Sequence, residues 1–224
     1  QIADLPIAVI DHHASGDPFG DIKYIDPKAP SVTYLIQQLI EESGEKPDQY
    51  EAELLFFGLC TDTGFFRHLE AGTPGPLNAA SRLVASGASP KAAFARMYGN
   101  RSHSSRRLLG RLLDRAEARF DGRLLVTWEN MEDLEEFGKL DRDSDSLFRQ
   151  LQGIRNCQVA ILIRQEDAET CSISLRSSNH IDVGVVAKKF GGGGHPGAAG
   201  FSSTESLIEI RDKVIEHFTD IFQL

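Results

Sequence analysis

Apolar positions in this chain come in short runs of two spacings. Pro6 to Ile10 (PIAVI) is a compact β-rich run that ends on Asp11-His12-His13, as a buried strand does when it delivers polar residues at its C-terminal end. Asp17 to Pro30, rich in Gly, Pro and Asp, predicts a loop, and Ser31 an N-cap for a helix to about Ser43. Val32, Leu35, Ile36, Leu39 and Ile40 lie on one face of that helix. Ala52 to Cys60 predicts a buried helix running directly into Thr61-Asp62-Thr63-Gly64, and shorter helices follow over Leu77 to Ala85 and from Pro90. Around Tyr98 to Ser105 the apolar pattern lapses, which marks a linker. Beyond it the pattern predicts strands at 124–128, 158–163 and 172–177, and helices at 144–152, 182–190 and 204–222.

The alternation of strand and helix predicts an α/β chain of two domains, residues 1–102 and 103–224. No run approaches the ~20 apolar residues of a bilayer helix, so no membrane partner is expected, and the start lacks the features of a secretory signal. A cytoplasmic protein is the expectation. The chain opens on Gln1 and enters a strand almost at once, so it is expected to be part of a longer polypeptide. The three cysteines are far apart and form no C-x-x-C, which points to buried thiols in a reducing compartment.

Charge narrows the function. With 24 Lys+Arg against 33 Asp+Glu the net charge is -9, which excludes a generally basic coat for nucleic acid. The exception is a stripe: Arg107, Arg111, Arg115, Arg119 and Arg123 recur every four residues among leucines, which predicts one helix with an arginine face. Asp114, Glu117 and Asp121 offset part of it, so a solvated charged face is favoured over a nucleic-acid groove.

Three stretches carry candidate chemistry. Asp11-His12-His13 places a carboxylate beside two imidazoles, donors that Mn²⁺ and related divalent ions accept; alone, such a tripeptide is as well explained by a turn with one core histidine. Asp62, between two threonines and before Gly64, reads in isolation as a helix C-cap and turn. From Gly191 to Gly200 six of ten residues are glycine and one, His195, carries an imidazole. Backbone amides freed of side chains approach anions closely, and Arg176 with Ser177, just before, adds a cation for phosphate.

In that order and spacing, DHH at 11–13, TDTG at 61–64, and SLRS with GGGGHPGAAG at 174–200 resemble the DHH/DHHA1 phosphoesterases, a RecJ-like family that includes nanoRNase/pAp-phosphatases. The resemblance implies the C-terminal part of a DHH domain, with a mainly parallel sheet flanked by helices, linked to a smaller mixed α/β DHHA1 domain. It also implies a site with two Mn²⁺ ions in the intact protein. His12 would be a metal ligand and Asp62 a ligand bridging both ions, with Asp11 orienting and His13 facing the scissile phosphate. Arg176, Ser177, Gly192, Gly193, Gly194 and His195 would hold the nucleotide end of the substrate.

The family's first two motifs, of His-x-Asp-x-Asp type and with a further Asp, have no counterpart before Asp11. His12 and Asp62 are too few for a dinuclear centre, so this stretch alone is expected to be inactive. The expected function of the intact protein is Mn²⁺-dependent hydrolysis of short phosphodiesters or nucleotide phosphates: oligoribonucleotides, pAp or cyclic dinucleotides. The partner is then a short RNA or nucleotide substrate, and a homodimer stays open. The alternative is a non-catalytic nucleotide- or RNA-binding module.

Overall fold

The computed structural model describes residues 5–13, 19–178 and 181–222. It divides after Asn100 into two compact units, residues 1–100 and 101–224.

In the first unit, β1 (Ala8–Asp11) pairs in parallel with β2 (Ile22–Ile25), in the register Asp11 to Ile25. Four helices follow: α1 (Val32–Glu42), α2 (Gln49–Asp62), α3 (Gly75–Ala85) and α4 (Pro90–Tyr98). Ser31 does cap α1, its hydroxyl accepting from the Tyr34 amide at 3.0 Å. At α2 a capping box does the same: Asp48 accepts from the Glu51 amide while the Glu51 carboxylate accepts from the Asp48 amide. The core lies between α2, α3 and α4, where Leu55, Phe56, Leu59, Cys60, Leu83 and Ala93 are buried. β2 falls inside the stretch expected as loop, whose first residues, Asp17 and Pro18, lie outside the described ones. All four β2 residues are exposed, so it shows no burial alternation. Among the described residues the parallel sheet is this one pair of strands.

The second unit is built on a six-stranded sheet in the order β3-β4-β5-β6-β8-β7. Its elements are α5 (His103–Asp114), β3 (Glu117–Arg119), β4 (Leu124–Glu129), α6 (Met131–Phe137), α7 (Ser144–Gln152), β5 (Val159–Gln165), β6 (Cys171–Ser177), α8 (Val183–Lys189), β7 (Gly193–His195), β8 (Ala198–Ser203) and α9 (Leu207–Phe222). Only β4 and β5 run parallel; the other pairs are antiparallel. Alternate residues of the central strands serve opposite faces. Val159, Ile161 and Ile163 join Val183, Val214 and Phe218 on one side, while Ala160 and Leu162 join Leu108, Leu112, Phe148 and Leu151 on the other. Burial on both faces explains why these strands read as unbroken apolar runs. The cysteines are buried free thiols, and among the described residues no helix is long and apolar enough to cross a membrane.

The five-arginine helix is a correction. Helix α5 stops at Asp114, Arg115 is its C-cap, Arg119 belongs to β3, and Arg123 follows a tight turn in which Phe120 and Asp121 take left-handed backbone angles. The arginines are also matched within the unit: Arg107 pairs with Glu136, Arg111 with Asp133 and Glu136, Arg115 with Asp133 and the Trp128 carbonyl, and Arg119 with Glu117. Arg123 donates to the Phe222 carbonyl at 2.9 Å. Rather than forming a solvated face, four of the five arginines are engaged by carboxylates, chiefly Asp133 and Glu136, and the fifth by a backbone carbonyl.

A second charged group sits at the end of β4. Glu129, fully buried, accepts from Arg142 Nε at 2.8 Å and Arg164 Nε at 2.9 Å, and Arg142 also donates to Glu166. Burial alone would raise the Glu166 carboxyl, but hydrogen bonds from Arg142, Ser172 and Lys139 outweigh it and bring it from the usual 4.5 to about 2. A depressed carboxyl contributes stability that is present above its unfolded value and lost as pH falls through the folded one. Resistance of the wild type to urea should therefore weaken as pH falls from about 4.5 to 2, and Glu166→Gln should make that decline shallower. An identical pH profile for the variant would show that Glu166 carries none of it.

Candidate functional site

Strand β1 ends where its chemistry begins. Asp11 is its last residue, and its Oδ1 accepts from the His12 amide at 2.7 Å and the His13 amide at 3.1 Å. The same oxygen meets His13 Nδ1 at 2.7 Å. The His13 ring contact first, and then these amides, hold the Asp11 carboxyl below its usual range. A carboxylate only accepts, so His13 carries a proton on Nδ1 in this contact, which leaves Nε2 outside it. His12 is fixed from the other side: its Nδ1 lies 3.2 Å from the carbonyl of Ala29, ahead of the α1 cap, and a carbonyl also only accepts.

In the neutral ring that leaves a lone pair on His12 Nε2, and what this nitrogen faces is Asp62. Asp62 closes α2, and its Oδ2 stands 3.8 Å from His12 Nε2. That is too long for a hydrogen bond. It suits one cation between them, since N and O ligands sit about 2.0–2.2 Å from a divalent transition ion and two such bonds span up to about 4.4 Å. The donor chemistry and spacing thus fit Mn²⁺, but the number of donors does not: among the described residues no group of three or more His, Cys, Asp or Glu is placed to hold a metal ion.

The turn after Asp62 is unusually constrained. Thr63 is buried, donates its hydroxyl to the Leu59 carbonyl at 2.6 Å and accepts from the Phe66 amide at 3.1 Å. Gly64, Phe65 and Phe66 then take φ of 58°, 58° and 70° in succession. For residues with a Cβ this costs roughly 1–2 kcal/mol each. The Phe65 amide donates to Cys60 at 2.7 Å, and the Phe65 ring packs edge-on against Phe56, Phe66 and Phe94. These contacts hold the turn in place. Its exposed side carries Arg67 and His68, which the sequence reading passed over. Arg67 donates Nε to His68 Nε2 at 3.1 Å. The only signal for them was that polar residues continue past TDTG, as FFRH.

In the second unit, the glycine run is a hairpin rather than an open loop. β7 pairs with β8 through Gly193 to Gly200, Gly194 to Ala199 and His195 to Ala198, and β8 pairs with β6 through Arg176 to Ala198. A Cβ on Gly192 would lie 2.2 Å from the Gly200 carbonyl oxygen, and one on Gly194 2.5 Å from that of Ala198; on Gly193 it would meet nothing within 4 Å. Gly192 and Gly194 are glycine because backbone packs on backbone, and of the three Gly193 alone is open. The hairpin is tied to α8 and β6, with the Val183 amide donating to Pro196 at 2.9 Å and the Ser177 amide to Gly197 at 3.0 Å. His195 is exposed. Arg176 lies over the Phe148 ring at 4.9 Å, with Nη1 donating to the Leu175 carbonyl at 3.1 Å. Arg176, Ser177 and the hairpin are thus neighbours on the adjoining strands β6, β8 and β7, while Asp11, His12, His13 and Asp62 gather in the first unit.

Residues 130–223 match the DHHA1 domain. The chain is 31% identical over 191 residues to a bifunctional oligoribonuclease and PAP phosphatase of Thermus thermophilus, covering 85% of this chain and 56% of that protein. It is 30% identical over 196 residues to a cyclic-di-AMP phosphodiesterase of Listeria monocytogenes, covering 84% of this chain and 28% of that one. Among solved structures, an exopolyphosphatase-related protein from Bacteroides fragilis superimposes with a TM-score of 0.85 at 25% identity, over 97% of this chain and 65% of that one. The chain therefore spans little more than half the length of the Thermus relative.

Proposed function

Because this chain carries a DHHA1 domain and is a relative of the DHH/DHHA1 phosphoesterases, we propose that its protein hydrolyses short phosphodiesters or nucleotide phosphates with Mn²⁺. The observation that carries this is the His12–Asp62 pair: two lone-pair donors 3.8 Å apart, one of them fixed in its tautomer by a backbone carbonyl.

When bound, two ions would supply an activated hydroxide and neutralise charge on the phosphoryl oxygens. His12 and Asp62 would hold one edge of that site, with its remaining ligands outside the described residues. Asp11 locks the His13 ring through Nδ1, which leaves His13 Nε2 to face the phosphate. Arg176, Ser177, the Gly192–Gly194 segment and His195 would bind the nucleotide end, though not through the Gly192 amide, which already donates to the Ala187 carbonyl at 2.9 Å. In this role Gly194 is the exposed backbone of the three, and Gly192 and Gly194 have no room for a side chain.

Substrate length follows from charge. At a net charge of -9, with the arginine stripe already paired, the chain offers no long cationic track for a polyanion. Relatives named for oligoribonucleotides, PAP and cyclic-di-AMP point the same way. The test is a panel with Mn²⁺ and the intact polypeptide: a 5′-phosphorylated diribonucleotide, adenosine 3′,5′-bisphosphate, a cyclic dinucleotide and a long single strand. Hydrolysis of one or more short substrates without the long strand is expected. Preferential digestion of the long strand, or no hydrolysis at all, would overturn the proposal.

The donor count favours a second function, a nucleotide- or RNA-binding module without catalysis. It predicts nucleotide binding that persists unchanged in EDTA, with no hydrolysis under any metal.

A further inference from the structure

Arg67 carries a cation that the fold positions and leaves uncommitted. Its Nε is taken by His68 Nε2, and no carboxylate pairs with it among the described residues. By contrast, Arg82, Arg111 and Arg142 are each bound to carboxylates. The terminal Nη1 and Nη2 of Arg67 form an open fork, the geometry that matches two phosphoryl oxygens.

Its location is set by the strained turn. Arg67 and His68 fold back over Gly64: a Cβ there would lie 2.9 Å from Arg67 Nε and 2.5 Å from His68 Nε2. Gly64 is two residues past Asp62, so their Cα atoms are at most about 7.6 Å apart. The turn that carries Arg67 thus begins directly beside the proposed metal edge. A backbone forced into left-handed angles at two phenylalanines persists only where the surroundings demand it, and it is found preferentially at working sites. Burial first, and then the Arg67 charge, keep the His68 imidazole below its usual range, in keeping with its part as acceptor.

We propose that Arg67 is a substrate-binding residue of the hydrolytic site, gripping with Nη1 and Nη2 the phosphoryl group next to the scissile one, and that His68 is its positioning residue. This rests on the phosphoesterase reading and deepens it. The site would then favour substrates with two phosphoryl groups, one at the metal edge and one at Arg67.

The experiment compares two hydrolysis-resistant probes that differ by one phosphoryl group: a dinucleoside phosphorothioate with and without a 5′-terminal phosphate. Calorimetry with the intact polypeptide and Mn²⁺ should give at least about tenfold tighter binding of the phosphorylated probe. Arg67→Ala should erase that preference while leaving the other probe's affinity within about twofold, and Arg67→Lys, which keeps the charge and loses the fork, should restore part of it. His68→Ala should reduce the preference without abolishing it. An undiminished preference in Arg67→Ala overturns the proposal, and so does equal weakening toward both probes, which would mark Arg67 as a support of the turn. If the wild type binds neither probe, the phosphoesterase reading itself falls.

Discussion

Gly194→Val should unfold the β7–β8 hairpin and cost the second unit about 2–5 kcal/mol. Gly194 has φ +144°, an angle that L residues rarely adopt, and its added Cβ would sit 2.5 Å from the Ala198 carbonyl oxygen and from the Ala199 Cα. Both obstacles are backbone, so no rotamer change relieves them. Overpacking alone typically costs about 1–3 kcal/mol, and the left-handed backbone adds to it. Gly193→Ala supplies the contrast, because its Cβ meets nothing within 4 Å. That variant should unfold in urea within about 0.5 kcal/mol of wild type. Equal losses for the two variants would mean that flexibility of the run, rather than close packing at particular positions, is what its glycines provide.

The second large effect is Glu129→Ala, with an expected loss of about 3–5 kcal/mol. Glu129 is fully buried between two guanidiniums, Arg142 at 2.8 Å and Arg164 at 2.9 Å, whose side chains are 13% and 11% exposed. Removing the carboxylate strands cations away from water, and the cost of that exceeds the value of the pair itself. Replacing Glu129 and Arg164 together by methionine should therefore recover part of the loss seen with Glu129→Ala, read from urea midpoints at neutral pH. A double variant worse than the sum of the singles would show that the pair is a net source of stability.

The elements legible in the sequence were those with an apolar period and a cap. The helix expected at 144–152 has those bounds in the structure, because Asp143 caps it and Leu147, Phe148 and Leu151 face the core. Strand β2 escaped notice because four exposed residues among Gly, Pro and Asp carry no burial signal. Strands β7 and β8 escaped because glycine and alanine have little hydrophobicity to alternate; their place is set by pairing, β8 with the earlier strand β6 and β7 with β8. Helix α6 is short and acidic, and its carboxylates Asp133 and Glu136 are what neutralise the arginine stripe. The stripe's period of four was real as a spacing but crossed a helix, a strand and a turn.

At the site, DHH and TDTG stood out as residue types in company, yet nothing in the sequence could give the distance between His12 and Asp62. That distance needs the Ala29 carbonyl to fix the ring and the end of α2 to carry the carboxylate, two long-range facts. Arg67 and His68 are invisible for a similar reason: only the left-handed turn folds them back over Gly64.

The most direct measurement is the Mn²⁺-dependent hydrolysis rate of a 5′-phosphorylated diribonucleotide by the intact polypeptide, its His12→Ala variant and its Asp62→Ala variant, each first shown by urea unfolding to retain its fold. Even a residue that only supports a metal ligand is worth about 10–100-fold, so each variant should lose at least about 100-fold. Rates within about twofold of wild type in both variants would contradict the assignment of His12 and Asp62 to one metal site.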